Sequence, residues 1–138
     1  MISYLVDTNC LVSYVTDRNP GQTETIAEVI EDASNLICTI CLISNVITEF
    51  VYTMQIVYGQ DSKFISRMLS DLITNPGIEY LHSYNLKLIL NLWPNKIKDY
   101  GDAVIAAAAL ELNFHVLTFD KDFSKQLAGS RIKHGLLN

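Results

Sequence analysis

The sequence predicts an α/β fold built on a central, mostly parallel sheet covered by helices on both faces. Short β-prone runs alternate with longer stretches of helical periodicity along the chain. Turn signals containing Gly, Pro or Asn separate these runs. Nearly half of the residues (49%) are hydrophobic and only 18% are charged, which excludes the composition of a disordered chain. The 138 residues suit one domain, able to bury roughly two thirds of the surface its unfolded chain exposes. No repeat, low-complexity segment or flexible linker divides them, so residues 1–138 are expected to form a single domain.

The first expected strand is Ile2 to Val6, closed by Asp7-Thr8-Asn9, with Asn9 placed to cap a helix from Cys10. Asn19-Pro20-Gly21 suggests a turn. From Thr23 to Asp32, Ile26, Val29 and Ile30 form one helical stripe, and Leu36 to Ile43 has the composition of a buried strand. Ser44 suits the N-cap of a helix from about Asn45 to Tyr58, with Ile47, Phe50, Val51, Met54 and Tyr58 toward the core and Gly59 ending it. A further helix is expected from about Asp61 to Ile73, stopped by Asn75-Pro76-Gly77. Ile78 to Leu81 follows as a short strand, and Tyr84 to Trp93 as a helical stretch ended by Pro94. Asp99 is placed to cap a helix through Glu111, in which Ala106 to Ala109 favours helix and permits close packing on a sheet. Val116 to Phe119 is the last clear strand, with Asp120, Lys121 and Asp122 in a turn after it.

Composition narrows the function classes. A net charge of −5 argues against a protein that holds nucleic acid through a broad basic surface. The charge is uneven: residues 1–95 carry four Lys or Arg against ten Asp or Glu, whereas residues 96–138 carry six against five. A phosphate-facing rim is therefore expected around Lys96, Lys98, Lys121, Lys125, Arg131 and Lys133. No apolar run approaches the roughly 18 residues of a spanning helix, and the N-terminus lacks a basic segment followed by an apolar one, so a cytoplasmic protein with no membrane association is expected. Cys10, Cys38 and Cys41 are an odd, sparse set. Cys38 and Cys41 match a CxxC pattern but lack a second paired motif, and buried, reduced thiols are expected.

The informative residues are acids. Asp7 and Asp120 each follow a predicted strand directly, and ligands of open parallel sheets bind outside the carboxyl ends of the strands. The two would meet at one edge although 113 positions separate them. Each acid also has an ordinary use. Asp7, Asp120 and Asp122 suit turns. Asp99 with Asp102 imitates a capping box at a helix start, where the macrodipole favours acids. Glu49 falls beside the apolar arc of its helix, as a solvated glutamate would. Taken together, Asp7, Asp102 and Asp120 all fall at expected strand ends or helix starts on one side of an α/β sheet. Two carboxylates about 4 Å apart repel by about 4 kcal/mol at an effective dielectric near 20, which calls for a shared proton or a bound cation. All-oxygen ligation suits Mg²⁺ or Mn²⁺.

Four segments carry a resemblance: Leu5-Val6-Asp7-Thr8-Asn9; Ser44 to Phe50, with Glu49 five positions after Ser44; Asp102-Ala103-Val104-Ile105-Ala106-Ala107; and Leu117-Thr118-Phe119-Asp120-Lys121-Asp122-Phe123. In order and spacing they resemble the four acidic motifs of PIN-domain nucleases. The size resembles the single-domain VapC-type toxins of bacterial and archaeal toxin–antitoxin pairs. The resemblance implies a PIN-like three-layer α/β/α fold and a metal-dependent endoribonuclease. In that reading Asp7, Glu49, Asp102 and Asp120 are catalytic and hold one or two Mg²⁺ or Mn²⁺, while Thr8, Asn9 and Thr118 orient them. The product would carry a 5′-phosphate. Asp99 and Asp122 stand close enough to the motifs to share or replace a ligand. An RNA substrate, a cognate antitoxin protein and a homodimer are implied as partners, and residues 60–98, which carry no motif, are where specificity is expected.

The rivals are weaker. A phosphoacceptor receiver domain needs an acid pair at its first strand end and a lysine ending a late strand, and neither is present. A haloacid-dehalogenase-type phosphatase needs an aspartate where Asn9 stands. His82, His115 and His134 have no nucleophile motif around them. A stand-alone RNA-processing nuclease and a non-catalytic interaction module of the same fold are the closer alternatives.

Overall fold

The computed structural model describes residues 1–82 and 84–137. Five strands, β1 (Ile2–Val6), β2 (Cys38–Ile43), β3 (Ile78–Leu81), β4 (His115–Thr118) and β5 (His134–Leu136), pair in the order β3-β2-β1-β4-β5. Every pair is parallel, so the expected mostly parallel sheet is wholly so. Among the described residues seven helices connect the strands: α1 (Thr8–Val15), α2 (Pro20–Ser34), α3 (Ser44–Ile56), α4 (Ser62–Ile73), α5 (Leu86–Leu92), α6 (Tyr100–Leu112) and α7 (Lys121–Gly129). The chain steps outward from β1 to β2 and β3, then crosses back to β4 and β5 on the other side of β1. Right-handed crossovers in the two directions place helices on opposite faces, which gives the three-layer α/β/α architecture.

Local chemistry explains most element ends. Asn19, Asp61, Asn85 and Asp99 cap α2, α4, α5 and α6, each side chain accepting the amide three residues on. Several expectations are corrected. The cap of α1 is Asp7, not Asn9, and the helix starts two residues earlier than expected. Asn19-Pro20-Gly21 is the start of α2, with Pro20 in the first turn where its missing N–H costs nothing. Ser44 does not cap α3; its hydroxyl meets the Tyr84 hydroxyl at 2.5 Å, and the cap position is Ile43 without a side-chain bond. Asp120 begins α7 rather than a turn, and α7 and β5 had no counterpart among the expected elements.

The core explains the rest. β2 is buried at five of its six positions, and α6 buries Gly101 and every residue from Ala103 to Ala109, as an apolar helix pressed on a sheet should. On α3 the expected stripe faces the core, with Phe50 and Met54 fully buried and Ile47, Val51 and, just past the helix, Tyr58 half-buried against it. Val46 is a further fully buried position that was not expected. Cys10, Cys38 and Cys41 are buried free thiols. Among the described residues no helix is long and apolar enough to cross a membrane.

The approach of α2 to the start of β3 is the tightest backbone contact at a glycine. A Cβ on Gly77 would lie 2.0 Å from the Ala33 carbonyl oxygen and 2.5 Å from its carbon. Neither atom can swing aside, because Asn75 ties this turn to the Ile30 carbonyl (3.1 Å) and the Ile40 amide bonds the Gly77 carbonyl (2.8 Å). Gly77→Ala is expected to destabilise the fold by about 3 kcal/mol, the upper end of overpacking costs. Gly129→Ala, where a Cβ meets nothing within 4 Å, should be neutral or slightly stabilising. Urea denaturation reads both; equal midpoints for Gly77→Ala and wild type would refute the tight approach.

Candidate active site

The reversal of strand order falls between β1 and β4, so the crevice outside their carboxyl ends is the position where α/β sheets bind ligands. Asp7 leaves β1 and Asp120 follows β4, with Val6 opposite Leu117 in the ladder. Thr118 joins them. Its hydroxyl, fully buried, accepts the Asp120 amide (3.0 Å) and donates to Asp7 Oδ2 (2.5 Å). A hydroxyl has one proton to give, so these two contacts fix its direction and orient the Asp7 carboxylate. Asp7 Oδ1 accepts the Cys10 amide (3.1 Å) and so caps α1, while the whole residue is only 5% exposed. Asp120 is exposed and caps α7, its Oδ1 accepting the amides of Asp122 (2.8 Å) and Phe123 (3.1 Å).

The other two acids arrive on α3 and α6. Asp99 Oδ1 accepts the Asp102 amide (2.9 Å), which starts α6 and sets Asp102 in its first turn, half-buried. Glu49 is exposed on α3, and the Thr8 hydroxyl donates to its Oε2 (2.8 Å). Its other oxygen lies against Gly101: a Cβ there would stand 2.3 Å from Glu49 Oε1 and 3.2 Å from Asp99 Oδ1. Gly101 therefore keeps open the space that the Glu49 carboxylate occupies. Sequence reasoning passed over it, although a glycine entering an alanine-rich helix is costly enough to ask for a reason.

The electrostatics bind the set together. Asp102 is pushed up to about 7 from 3.8, first by burial and then by Asp99, Asp7, Asp120 and Glu49 in turn. All four charges acting on it are carboxylates. Asp7 is raised as well, chiefly by burial, against the hydrogen bonds from Thr118 and Cys10, with a smaller push from Asp120. The structure thus groups Asp7, Glu49, Asp102, Asp120 and Asp99 about one locus and ties Thr8 and Thr118 to it. Asn9 and Asp122 are exposed: the Asn9 carbonyl receives Arg18 (3.3 Å), and the Asp122 amide serves the α7 cap. His115 packs edge-on against Tyr4, and a ring nitrogen of His134 meets the Ile132 carbonyl. Among the described residues no three acidic, histidine or cysteine side chains are gathered tightly enough to cage an ion by themselves. An open carboxylate set of this kind fits Mg²⁺, which keeps several waters and takes few protein ligands, better than a dedicated cage.

The raised carboxyls set a pH dependence. The folded state binds the Asp102 proton more tightly than the unfolded chain, so the metal-free protein should lose stability as pH rises from about 4 to about 7, with Asp7 adding in the same direction. Asp102→Asn should flatten that descent in melting-temperature scans. Mn²⁺ at about 100 times its dissociation constant should stabilise wild type by about 2.7 kcal/mol above pH 7, and less near pH 5, where it must displace the proton. A metal-free stability that climbs over this range would contradict the crowding.

A family model described as PIN domain matches residues 4–126 of the chain. Among solved structures, VapBC2 from Rickettsia felis, in a crystal structure bound to a DNA fragment from their promoter, superposes with a TM-score of 0.67 and 17% identity, covering 99% of this chain and 100% of that one. VapBC-1 from nontypeable Haemophilus influenzae gives 0.66 and 16%, with 98% of each chain covered. FitAcB from Neisseria gonorrhoeae gives 0.61 and 14%, with 95% of each covered. At such identities the likeness speaks for the fold. No curated protein matches the chain. The family match spans all four acidic positions, and the chain belongs to the PIN-domain family.

Proposed function

We propose that the chain is a metal-dependent endoribonuclease and that it is the toxin of a toxin–antitoxin pair. The observation that carries the catalytic reading is Asp102: a half-buried carboxyl, pushed up to about 7, on which every acting charge is another carboxylate. Asp7, Asp99 and Asp120 are also helix caps and would be kept in a non-catalytic module of this fold, but Glu49 and Asp102 cap nothing. Their convergence on the capping acids costs stability unless a cation uses it.

Asp7, Glu49, Asp102 and Asp120 would hold the metal, with Asp99 near enough to share. One or two Mg²⁺ or Mn²⁺ ions held there would supply positive charge at the scissile phosphate and a more acidic water as nucleophile. The chain's own part is orientation. The Thr118 hydroxyl holds Asp7 to the sheet, the Thr8 hydroxyl holds Glu49, and Gly101 leaves room for the Glu49 carboxylate. Asp102, with a pKa near neutrality, holds a proton that it would give up readily in order to serve as a ligand. RNA as substrate, a 5′-phosphate product and a homodimer rest on the family. The likeness to VapBC2 and VapBC-1 supports a small antitoxin protein as partner.

Purified protein with Mn²⁺ or Mg²⁺ should cut single-stranded RNA, and EDTA should abolish cutting. Loss of a residue that merely orients a metal ligand costs about 10–100-fold, so Asp7→Asn and Asp102→Asn should each lower the rate by at least about a hundredfold. Undiminished cleavage by both variants would exclude the four-acid site.

Gly101→Ala tests the site without removing an acid. The clash is with the mobile end of the Glu49 side chain, and alanine favours helix, so melting should hold or rise while cleavage falls by about tenfold or more. Full activity would show that Glu49 is free to sit elsewhere.

A further inference from the structure

Two residues before Asp102, the first residue of α6 is a tyrosine paired with the tryptophan that ends α5, and the acidic site uses neither. Tyr100, the first residue of α6, lies between Asp99 and Gly101 and is 41% exposed. Trp93, the only tryptophan of the chain, is half-buried and packed against the core. Its indole N–H donates to the Lys98 carbonyl (3.1 Å), and its ring meets that of Tyr100 at 5.2 Å between centroids and 84° between planes. The Lys98 amide donates to Gln126 Oε1 on α7 (3.0 Å), fastening this loop to the helix that Asp120 caps. Tyr100 is therefore an exposed ring held by a fixed partner, on the segment that delivers Asp99 and Asp102. Lys96 and Lys98 of the same loop are exposed.

A chain of net charge −5 with crowded carboxylates at its centre repels a polyanion. Stacking of a base on an aromatic ring is indifferent to that charge, tolerates any base, and gives sequence-independent grip on a single strand. We propose that Tyr100, backed by Trp93, is a nucleobase-stacking platform that holds a base of single-stranded nucleic acid beside the phosphodiester to be cut, with Lys96 and Lys98 supplying positive charge to flanking phosphates. The inference rests on the nuclease reading and adds to it the surface that grips the substrate.

Trp93 reports on its own surroundings, because excitation at tryptophan wavelengths reads it alone. With Mg²⁺ present, a phosphorothioate oligoribonucleotide should quench Trp93 fluorescence, and the same sugar–phosphate chain without bases should not. In cleavage assays Tyr100→Ala should raise KM for base-bearing RNA by about tenfold with kcat little changed, the order expected for one lost stacking contact. Tyr100→Phe should keep the wild-type KM, and the base-free chain should be cut equally by wild type and Tyr100→Ala. If wild type cleaves RNA but Tyr100→Ala leaves KM unchanged, or slows base-bearing and base-free substrates alike, the aromatic pair only packs the loop and the proposal is overturned while the nuclease reading stands. Equal quenching by both oligomers would also overturn it. Absence of any cleavage by wild type would overturn the nuclease reading, and this proposal with it.

Discussion

The buried hydroxyl of Thr118 is the point on which the acidic site turns. It accepts a hydrogen bond from the Asp120 amide and donates one to Asp7, so one side chain orients the Asp7 carboxylate and fixes the backbone from which Asp120 projects. That geometry exists because β4 pairs with β1 in one register, Val6 opposite Leu117. A slip of one residue would turn Thr118 to the other face of the sheet. The register is held by Leu5, Val6, Val116 and Leu117, all buried. Apolar burial remote from any charge thus decides where the charges meet, and it supplies the stability that lets mutually repelling acids stay together.

The helices relieve part of that repulsion. α1, α6 and α7 begin at the acidic locus, capped by Asp7, Asp99 and Asp120. A helix N-terminus carries roughly half a positive charge and favours a nearby carboxylate by about 0.3–1 kcal/mol. Three such termini offset some of the crowding without cancelling it, since Asp102 still stands near 7. Asp102 receives no cap bond in return, so the unrelieved cost is concentrated on it.

Much of this was legible in the sequence. The alternation of strand and helix, the parallel sheet, the placement of Asp7 and Asp120 at strand ends and the cap by Asp99 follow from pattern and turn chemistry alone. Other features were hidden for physical reasons. Asp7 and Asn9 are both good caps, and the choice between them depends on where β1 ends, which its pairing with β4 decides. Ser44 has the chemistry of a cap, but a tyrosine forty positions away claims its hydroxyl. β5 is three residues long, too short for an alternating pattern, and exists through pairing with β4. Pro20 was a helix-start signal that its neighbours Asn19 and Gly21 made look like a turn. Gly101 could not be valued without knowing that a glutamate from α3 would lie against it. For the acids themselves, aspartate serves as cap and as ligand alike, so no local pattern separates the two uses.

That double use has a consequence over evolutionary time. Any relative of this fold needs its helices started, whether or not it keeps an acidic site, so positions 7, 99 and 120 would remain confined to the few short polar residues that cap. Positions 49 and 102 supply no cap, and only the preference of a first helical turn for acids would act on position 102. The mark of a relative without the acidic site would thus be a sequence that keeps short polar residues at positions 7, 99 and 120 while position 49, and less freely position 102, has changed.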